Sequence, residues 1–452
     1  MRAGIPAVER LRDEKVQIGI ITLLGVLMRL GYVLYTPFMM GQHDLTVLGS
    51  GQGHLGYIEY FLEGGHIFHD FDPMTRYQFY HPPLSHLLSA ACVRFSLLLG
   101  TPYEEAFEHL QYLSLLYSVV TLVFFCKILK ELGFRGKALL TAYLIAAFHP
   151  AFYLFAGSIN NDGLCLMFMA GAVYYTLRWY RKQSVGNILL ISVFLLGGIW
   201  TKQNTFLITP AIGFVFLYVL VKKWKDPRIR KRLLVQFLIF GAVTVPLGLA
   251  WSVYNYIKFG MPFDFTPAAL TEFSSQDVSG YTVTQRLFGL KDGPLRQLSV
   301  QFRGDFKDYN IGITLLKTSV FGEYILMSWG AEYWFLIALT IVNGILAALS
   351  VPAVLSLGAA GGRQPLEKRF VFLLYVITMA FYIRFCFQYP KVCSMDFRYI
   401  ALTALTGSAA FGWYIEEHGE KRSAKALSAA VIIWSVLSIV CYTGLGITPR
   451  AG

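Results

Sequence analysis

Apolar runs of about 18 to 25 residues recur along the chain, and each is long enough to cross a hydrocarbon core roughly 30 Å thick as an α-helix. The pattern predicts spans at residues 16–38, 109–130, 138–158, 163–178, 185–201, 204–221, 233–256, 333–357, 370–389, 399–415 and 426–446. The expected class is therefore all-α, a polytopic transmembrane helical protein of about 11 spans. Two long polar stretches, residues 39–108 and 257–332, interrupt the pattern. Loops of this length are more often functional than connective. Inside the first, PLSHLLSAACVRFSLLLG (83–100) is apolar but is followed by TPYEEAFEH, with three Glu and no Lys or Arg. We read 83–100 as a juxtamembrane or re-entrant helix. No internal repeat is visible, so residues 1–452 read as a single transmembrane domain.

Composition agrees. The chain of 452 residues is 55% hydrophobic and only 15% charged, against about 25% charged in soluble domains. The net charge of +12 concentrates in loops, which reports membrane orientation rather than a nucleic-acid partner. KKWKDPRIRKR (222–232) carries seven basic residues, and KILKELGFRGK (127–137), RWYRK (178–182), RQPLEKR (363–369) and EKRSAK (420–425) are smaller versions. All five fall on one side if 83–100 does not span. The amino terminus is then cytoplasmic, the carboxyl terminus outside, and both long loops face the non-cytoplasmic side. The opening MRAGIPAVERLRDEK reads as the flank of an uncleaved first helix. The six cysteines lie mostly in apolar runs without metal-type spacing, so no disulfide framework is expected.

The chemistry gathers in the outer loops. Six of the nine histidines lie between residues 43 and 86, together with Asp44, Asp70 and Asp72. Asp44 follows the first span closely; burial there would raise its pKa and suit it to general-base work. Asp162, in NNDGL, is either a helix cap or a polar partner in a site. Lys202, in WTKQN, lies opposite the basic loops, where it either snorkels or meets a phosphate. Glu323, Glu332, Asp396, Arg398 and Tyr399 add charge and polarity on the same side. Asp70-Phe71-Asp72 has the form of a metal-holding DxD triplet, and with His69 it supplies donor types for zinc or manganese. The donors admit a divalent metal without requiring one, and no cofactor is demanded.

These residues resemble the GT-C glycosyltransferases, most closely the bacterial branch related to protein O-mannosyltransferases and aminoarabinose transferases. The resemblance rests on Asp44 in GQHDL, on HPPL (His81 to Leu84), on Asp162, on Thr201-Lys202 and on Arg398-Tyr399. It implies transfer of a hexose or pentose from a polyprenyl-phosphate carrier to an acceptor outside the cytoplasm, at a bacterial cell membrane, with Asp44 catalytic. Aminoarabinose transferases carry an acidic-Lys pair before the PPL, where this chain has Tyr80 and His81. The resemblance also implies substrate contacts at His43, His81, Asp162, Lys202, Asp396, Arg398 and Tyr399. The acceptor is left open among protein, lipid-linked glycan and wall polymer. A polyprenyl phosphate leaves readily, so the chemistry asks for a base on the acceptor hydroxyl and cations on the phosphate. A single base opposite the leaving group predicts inversion. The competing class is a transporter or flippase, which ionisable residues deep in the spans (Arg29, His149, Arg384) would favour.

Overall fold

In the computed structural model the described residues are 13–263, 274–290, 297–301, 306–323 and 333–443. Glu332 lies outside them. In chain order the first helices are α1 (Glu14–Tyr35), α2 (Gly53–Leu62), α3 (Leu84–Leu98), α4 (Tyr103–Glu108), α5 (Leu110–Glu131) and α6 (Gly136–Phe148). Then come α7 (Pro150–Gly157), α8 (Asp162–Arg181), α9 (Val185–Ile199), α10 (Thr209–Lys222) and α11 (Pro227–Phe259). The rest are α12 (Val283–Phe288), α13 (Ile311–Phe321), α14 (Tyr333–Ser356), α15 (Pro365–Gln388), α16 (Thr403–His418) and α17 (Arg422–Thr443). No strand occurs among the described residues, so the fold is all-α and polytopic, as the hydropathy pattern predicts.

Seven helices among these residues are long and apolar enough to cross a membrane, or eight with the bent pair α6–α7. By length and composition, the expected count of about 11 is thus not confirmed among the described residues. Helices α9 and α16, of 15 and 16 residues, reach only about 22–24 Å at 1.5 Å per residue. In α8 the last turns carry Arg178 and Arg181.

The basic loops share one end of the bundle. Glu131 pairs with Arg178 and Arg181, Gly136 donates its N–H to Glu14, Trp179 to Gln236, and Phe134 packs on Trp413 beside Gln364. At the opposite end, α3 starts with its Leu84 N–H on the Trp200 carbonyl (2.9 Å) and finishes with Ser96 on His109 (2.9 Å). Both ends of α3 therefore lie at the same end of the bundle, as expected for a helix that does not span.

The bend between α6 and α7 has a local cause. Pro150 has no N–H for the Ala146 carbonyl, and the Ala151 N–H is taken by the His149 Nδ1 at 3.3 Å. In an apolar interior such carbonyls need other donors. Arg29 supplies them, donating to Ala147 at 2.8 Å and to Ala146 at 3.2 Å, with further bonds to Gly25 and Ser118. Ser438 donates to the Phe148 carbonyl at 2.6 Å. The intraspan Arg29 is thus the cap of a broken helix. His149 stacks on Phe397 with centroids 4.9 Å apart, and Arg384 lies on the exposed face of α15. None of the three outlines a transport path.

Candidate active site

The bend and its partners place the start of the first long loop, residues 39–108. Gln42 donates to the Gly157 carbonyl at 2.8 Å, and its side-chain oxygen accepts from the Ile159 N–H at 2.8 Å. This clamp holds residues 42–44 against the start of α8. Asp44 has a φ of 61°, in the left-handed region where Asp is better tolerated than most side chains. Its carbonyl accepts the His54 N–H at 3.0 Å, and Gly53, with φ 70°, follows a path where a Cβ would strike Thr46 at 2.5 Å. A strained acidic residue sewn into a tight loop is common at functional sites.

At this end four charges alternate in sign. Arg398 places NH1 and NH2 each 3.2 Å from Asp44 Oδ2. NH1 also faces Asp162 Oδ2 at 3.6 Å, and Asp162 Oδ1 accepts from Lys202 Nζ at 2.6 Å. Tyr77 donates its hydroxyl to Asp44 Oδ1. The Tyr399 hydroxyl lies 3.1 Å from Arg398 NH2, and its ring lies 5.3 Å below Lys202. Asp162 and Lys202 are both buried. Asp162 is therefore an ion partner rather than a helix cap, and Lys202 is not snorkelling.

Asp44, Lys202, Arg398 and Tyr399 line a cavity of ≈ 70 Å³ together with His54, Tyr77, His81 and Tyr389. It shares Asn204, Phe385 and Tyr399 with an apolar slot of ≈ 20 Å³ between α15 and residues Gln203–Ile208. A larger apolar cavity of ≈ 200 Å³ lies between α13, α14, α15 and α16. It contains none of the four alternating charges.

The electrostatics correct one expectation. Burial does push the Asp44 carboxyl up, but Arg398, then His54, the Tyr77 hydroxyl and His43, outweigh it and hold the group well below the usual carboxylate range. Asp44 is thus ionised but clamped. Burial, aided by Lys202, pushes His54 down to about 4 despite Asp44. His81 is held well below its ordinary value by burial, Lys202 and His54. Both are neutral imidazoles facing the cavity. His54 Nδ1 meets His86 Nε2 at 2.8 Å.

The Asp70–Asp72 triplet takes another role. Asp72 caps the short turn Pro73–Thr75, accepting the Met74 N–H at 2.9 Å, and Asp70 is exposed. The His69 Nε2 meets the Tyr57 hydroxyl at 3.0 Å while its ring stacks on Phe71. Metal-type donors instead meet, among the described residues, at His43, Glu323 and Asp396. His43 Nδ1 lies 2.8 Å from Glu323, and Nε2 lies 3.6 Å from Asp396. Asp396 also accepts the Arg398 backbone N–H at 2.8 Å. Of the expected residues, His43, Asp44, His81, Asp162, Lys202, Asp396, Arg398 and Tyr399 therefore converge; Asp70, Asp72 and His69 do not join them. Tyr77 and His54 join them without a motif of their own in the sequence. Their one signal is the aromatic and histidine density of residues 54–81.

Residues 81–251 match the family model described as dolichyl-phosphate-mannose-protein mannosyltransferase. No curated protein sequence matches the chain. Among solved structures, the oligosaccharyltransferase AglB of Archaeoglobus fulgidus, in complex with an inhibitory peptide and a dolichol-phosphate, aligns with TM-score 0.53 and 13% identity over 96% of this chain and 57% of its own. An Archaeoglobus fulgidus oligosaccharyltransferase in complex with Zn and sulfate gives TM-score 0.52 and 13% identity, covering 95% and 54%. The Saccharomyces cerevisiae protein O-mannosyltransferase Pmt1-Pmt2 complex bound to the sugar donor gives TM-score 0.41 and 16% identity, covering 62% and 38%. The chain thus spans between 38% and 57% of the length of these structures.

Proposed function

We propose that this chain is a membrane glycosyltransferase of the GT-C kind, moving a hexose or pentose from a polyprenyl-phosphate carrier to an acceptor on the non-cytoplasmic side; the family match over residues 81–251 supports the reading. The observation that carries the reading is the alternating array Asp44–Arg398–Asp162–Lys202. It borders a cavity that continues into an apolar slot between helices. A phosphate bearing a hydrocarbon tail needs this combination of cations and apolar wall.

Asp44 is the general base. In the resting site Arg398 clamps it, which lowers its proton affinity. An arriving donor phosphate offers the guanidinium a charge-assisted bidentate partner, and as Arg398 turns to it, the Asp44 carboxylate regains basicity beside the acceptor hydroxyl. Lys202 neutralises the phosphate from the other side as the sugar–phosphate bond breaks. Tyr399 holds both cations, Asp162 spaces them, and Asp396 fixes the Arg398 backbone. His81 lines the sugar-side wall, and His43 braces the loop that carries Asp44. With a single base acting opposite the leaving phosphate, the transfer inverts the anomeric centre. The AglB structure is a complex with an inhibitory peptide and a dolichol-phosphate, which suits a lipid phosphate donor; the acceptor here is a protein, a lipid-linked glycan or a wall polymer. The basic loops, gathered at the other end, fit a bacterial inner membrane with the site on the outer face.

The test is Asp44→Asn, which tolerates the positive φ and keeps the shape but cannot take a proton at neutral pH. Single-turnover transfer of radiolabel from a polyprenyl-phosphate sugar should fall by a factor of about 10² to 10⁴, with the melting temperature in detergent recorded alongside. Asp72→Asn, a cap remote from the array, is the control. Wild-type turnover in Asp44→Asn would remove Asp44 from this role.

A further inference from the structure

The transfer chemistry uses the alternating charges but leaves a second cluster beside them. His43 comes from the first outer loop, Glu323 follows α13, and Asp396 precedes the turn Phe397–Ile400. One donor atom from each lies within 4.8 Å of the others. Glu323 and Asp396 are both at least nine-tenths buried, with relative exposures of 4% and 3%. Each also turns an oxygen, Glu323 Oε1 and Asp396 Oδ2, that makes no hydrogen bond. Buried carboxylate oxygens without donors are costly, so such an arrangement needs a counter-charge.

A cavity of ≈ 20 Å³ is lined by these three side chains together with Gly41, Thr318 and Arg398. That is about the space of one water molecule or one ion. Arg398 is the opposing charge at this cavity, but its terminal nitrogens are shared by Asp44 and Asp162. The carboxylates of Glu323 and Asp396 thus keep most of their field for whatever sits between them and His43.

We propose that His43, Glu323 and Asp396 form a site for one divalent transition-metal ion. One imidazole nitrogen and two carboxylate oxygens suit Mn²⁺ or Zn²⁺ better than Mg²⁺ or Ca²⁺, which prefer oxygen alone. The ion ties together three segments far apart in sequence: the loop bearing Asp44, the end of α13, and the turn bearing Arg398. Its role is to position Asp44 against Arg398, and it stands independently of the sugar-transfer reading, because its test measures metal.

The full-length protein in detergent, treated with EDTA and desalted, is titrated with Mn²⁺ and followed by electron paramagnetic resonance. One tightly bound equivalent per chain is expected, with nitrogen modulation from a single imidazole in the echo envelope. Glu323→Gln and Asp396→Asn, both near-isosteric, should each weaken binding by at least about tenfold, as for loss of a ligand or its immediate partner. His43→Gln should abolish the nitrogen modulation, while Asp72→Asn should leave binding unchanged. Absence of a stoichiometric equivalent in the wild-type protein overturns the proposal without recourse to any variant. So does nitrogen modulation that survives in His43→Gln, or a bound ion lost in Asp72→Asn but kept in Glu323→Gln.

Discussion

Replacing Arg398 with Gln removes the charge that holds Asp44 ionised, and the size of the effect follows from the geometry. Both terminal guanidinium nitrogens lie 3.2 Å from Asp44 Oδ2. With charge centres about 4 Å apart and an effective dielectric near 20, the attraction is about 4 kcal/mol, or about three pKa units. The Asp44 side chain is 24% exposed, so solvent screening trims this to roughly two to three units. Burial, His54, Tyr77 and His43 all remain in the variant, and the carboxyl should return from well below its ordinary range to near it. The pH dependence from this group then fades. In the wild-type protein the depressed carboxyl contributes stability that is present above its unfolded pKa, about 3.9, and is lost as pH falls through its lower folded value. In Arg398→Gln the folded and unfolded values nearly coincide, so little of this contribution remains to be lost. Thermal unfolding in detergent from about pH 6 down to about pH 2 reads this without any donor. The wild-type midpoint should fall across the acid end of that window, and the Arg398→Gln midpoint should fall less. Adding Asp44→Asn to Arg398→Gln should leave the slope unchanged, while the contribution of Asp162, still paired with Lys202, persists. In transfer assays the acid limb of the pH profile should rise by about two units in Arg398→Gln and stay low in Arg398→Lys. Coincident pH slopes for wild type and Arg398→Gln would refute the clamp.

Lys202→Ala should raise the donor KM or lower kcat by about tenfold or more, since charge-assisted contacts to phosphate are about twice as strong as neutral ones; donor kinetics identical to wild type would take Lys202 out of the phosphate site. Arg29→Met should lower stability by about 2–6 kcal/mol, because the Ala146 and Ala147 carbonyls lose their donors at about 1–3 kcal/mol each, while transfer kinetics in the folded fraction stay unchanged; a melting temperature within a degree of wild type would contradict its capping role. The His54 imidazole, pushed down to about 4, should make the protein lose stability as pH falls from about 6.5 towards 4, by up to about 3 kcal/mol from this group. Denaturant midpoints across that range should flatten in His54→Gln, and an unaltered slope would show that His54 titrates normally.

The sequence by itself determined the fold class, the common end at which the basic loops gather and most of the residues that meet. Apolar run length and basic-loop placement are local properties, set by the hydrocarbon thickness and by charge, so they can be read without knowing what touches what. The same locality explains the misplaced features. The triplet Asp70-Phe71-Asp72 looks like a metal motif in one dimension, but Pro73 after it makes Asp72 a cap. The clustered histidines divide into a neutral buried group around His54 and a separate partner of two carboxylates, His43. What only the tertiary structure decided is the protonation of Asp44, because burial and the Arg398 charge act in opposite directions and the winner depends on a 3.2 Å contact across 354 residues of chain. Tertiary structure likewise turned Arg29 from a possible transport residue into the cap of a broken helix, since the carbonyls freed by Pro150 become visible only when the facing helix is in place. It also brought His43, Glu323 and Asp396 to one cavity. Pairing between distant segments is fixed by packing, and no local pattern of residues encodes it.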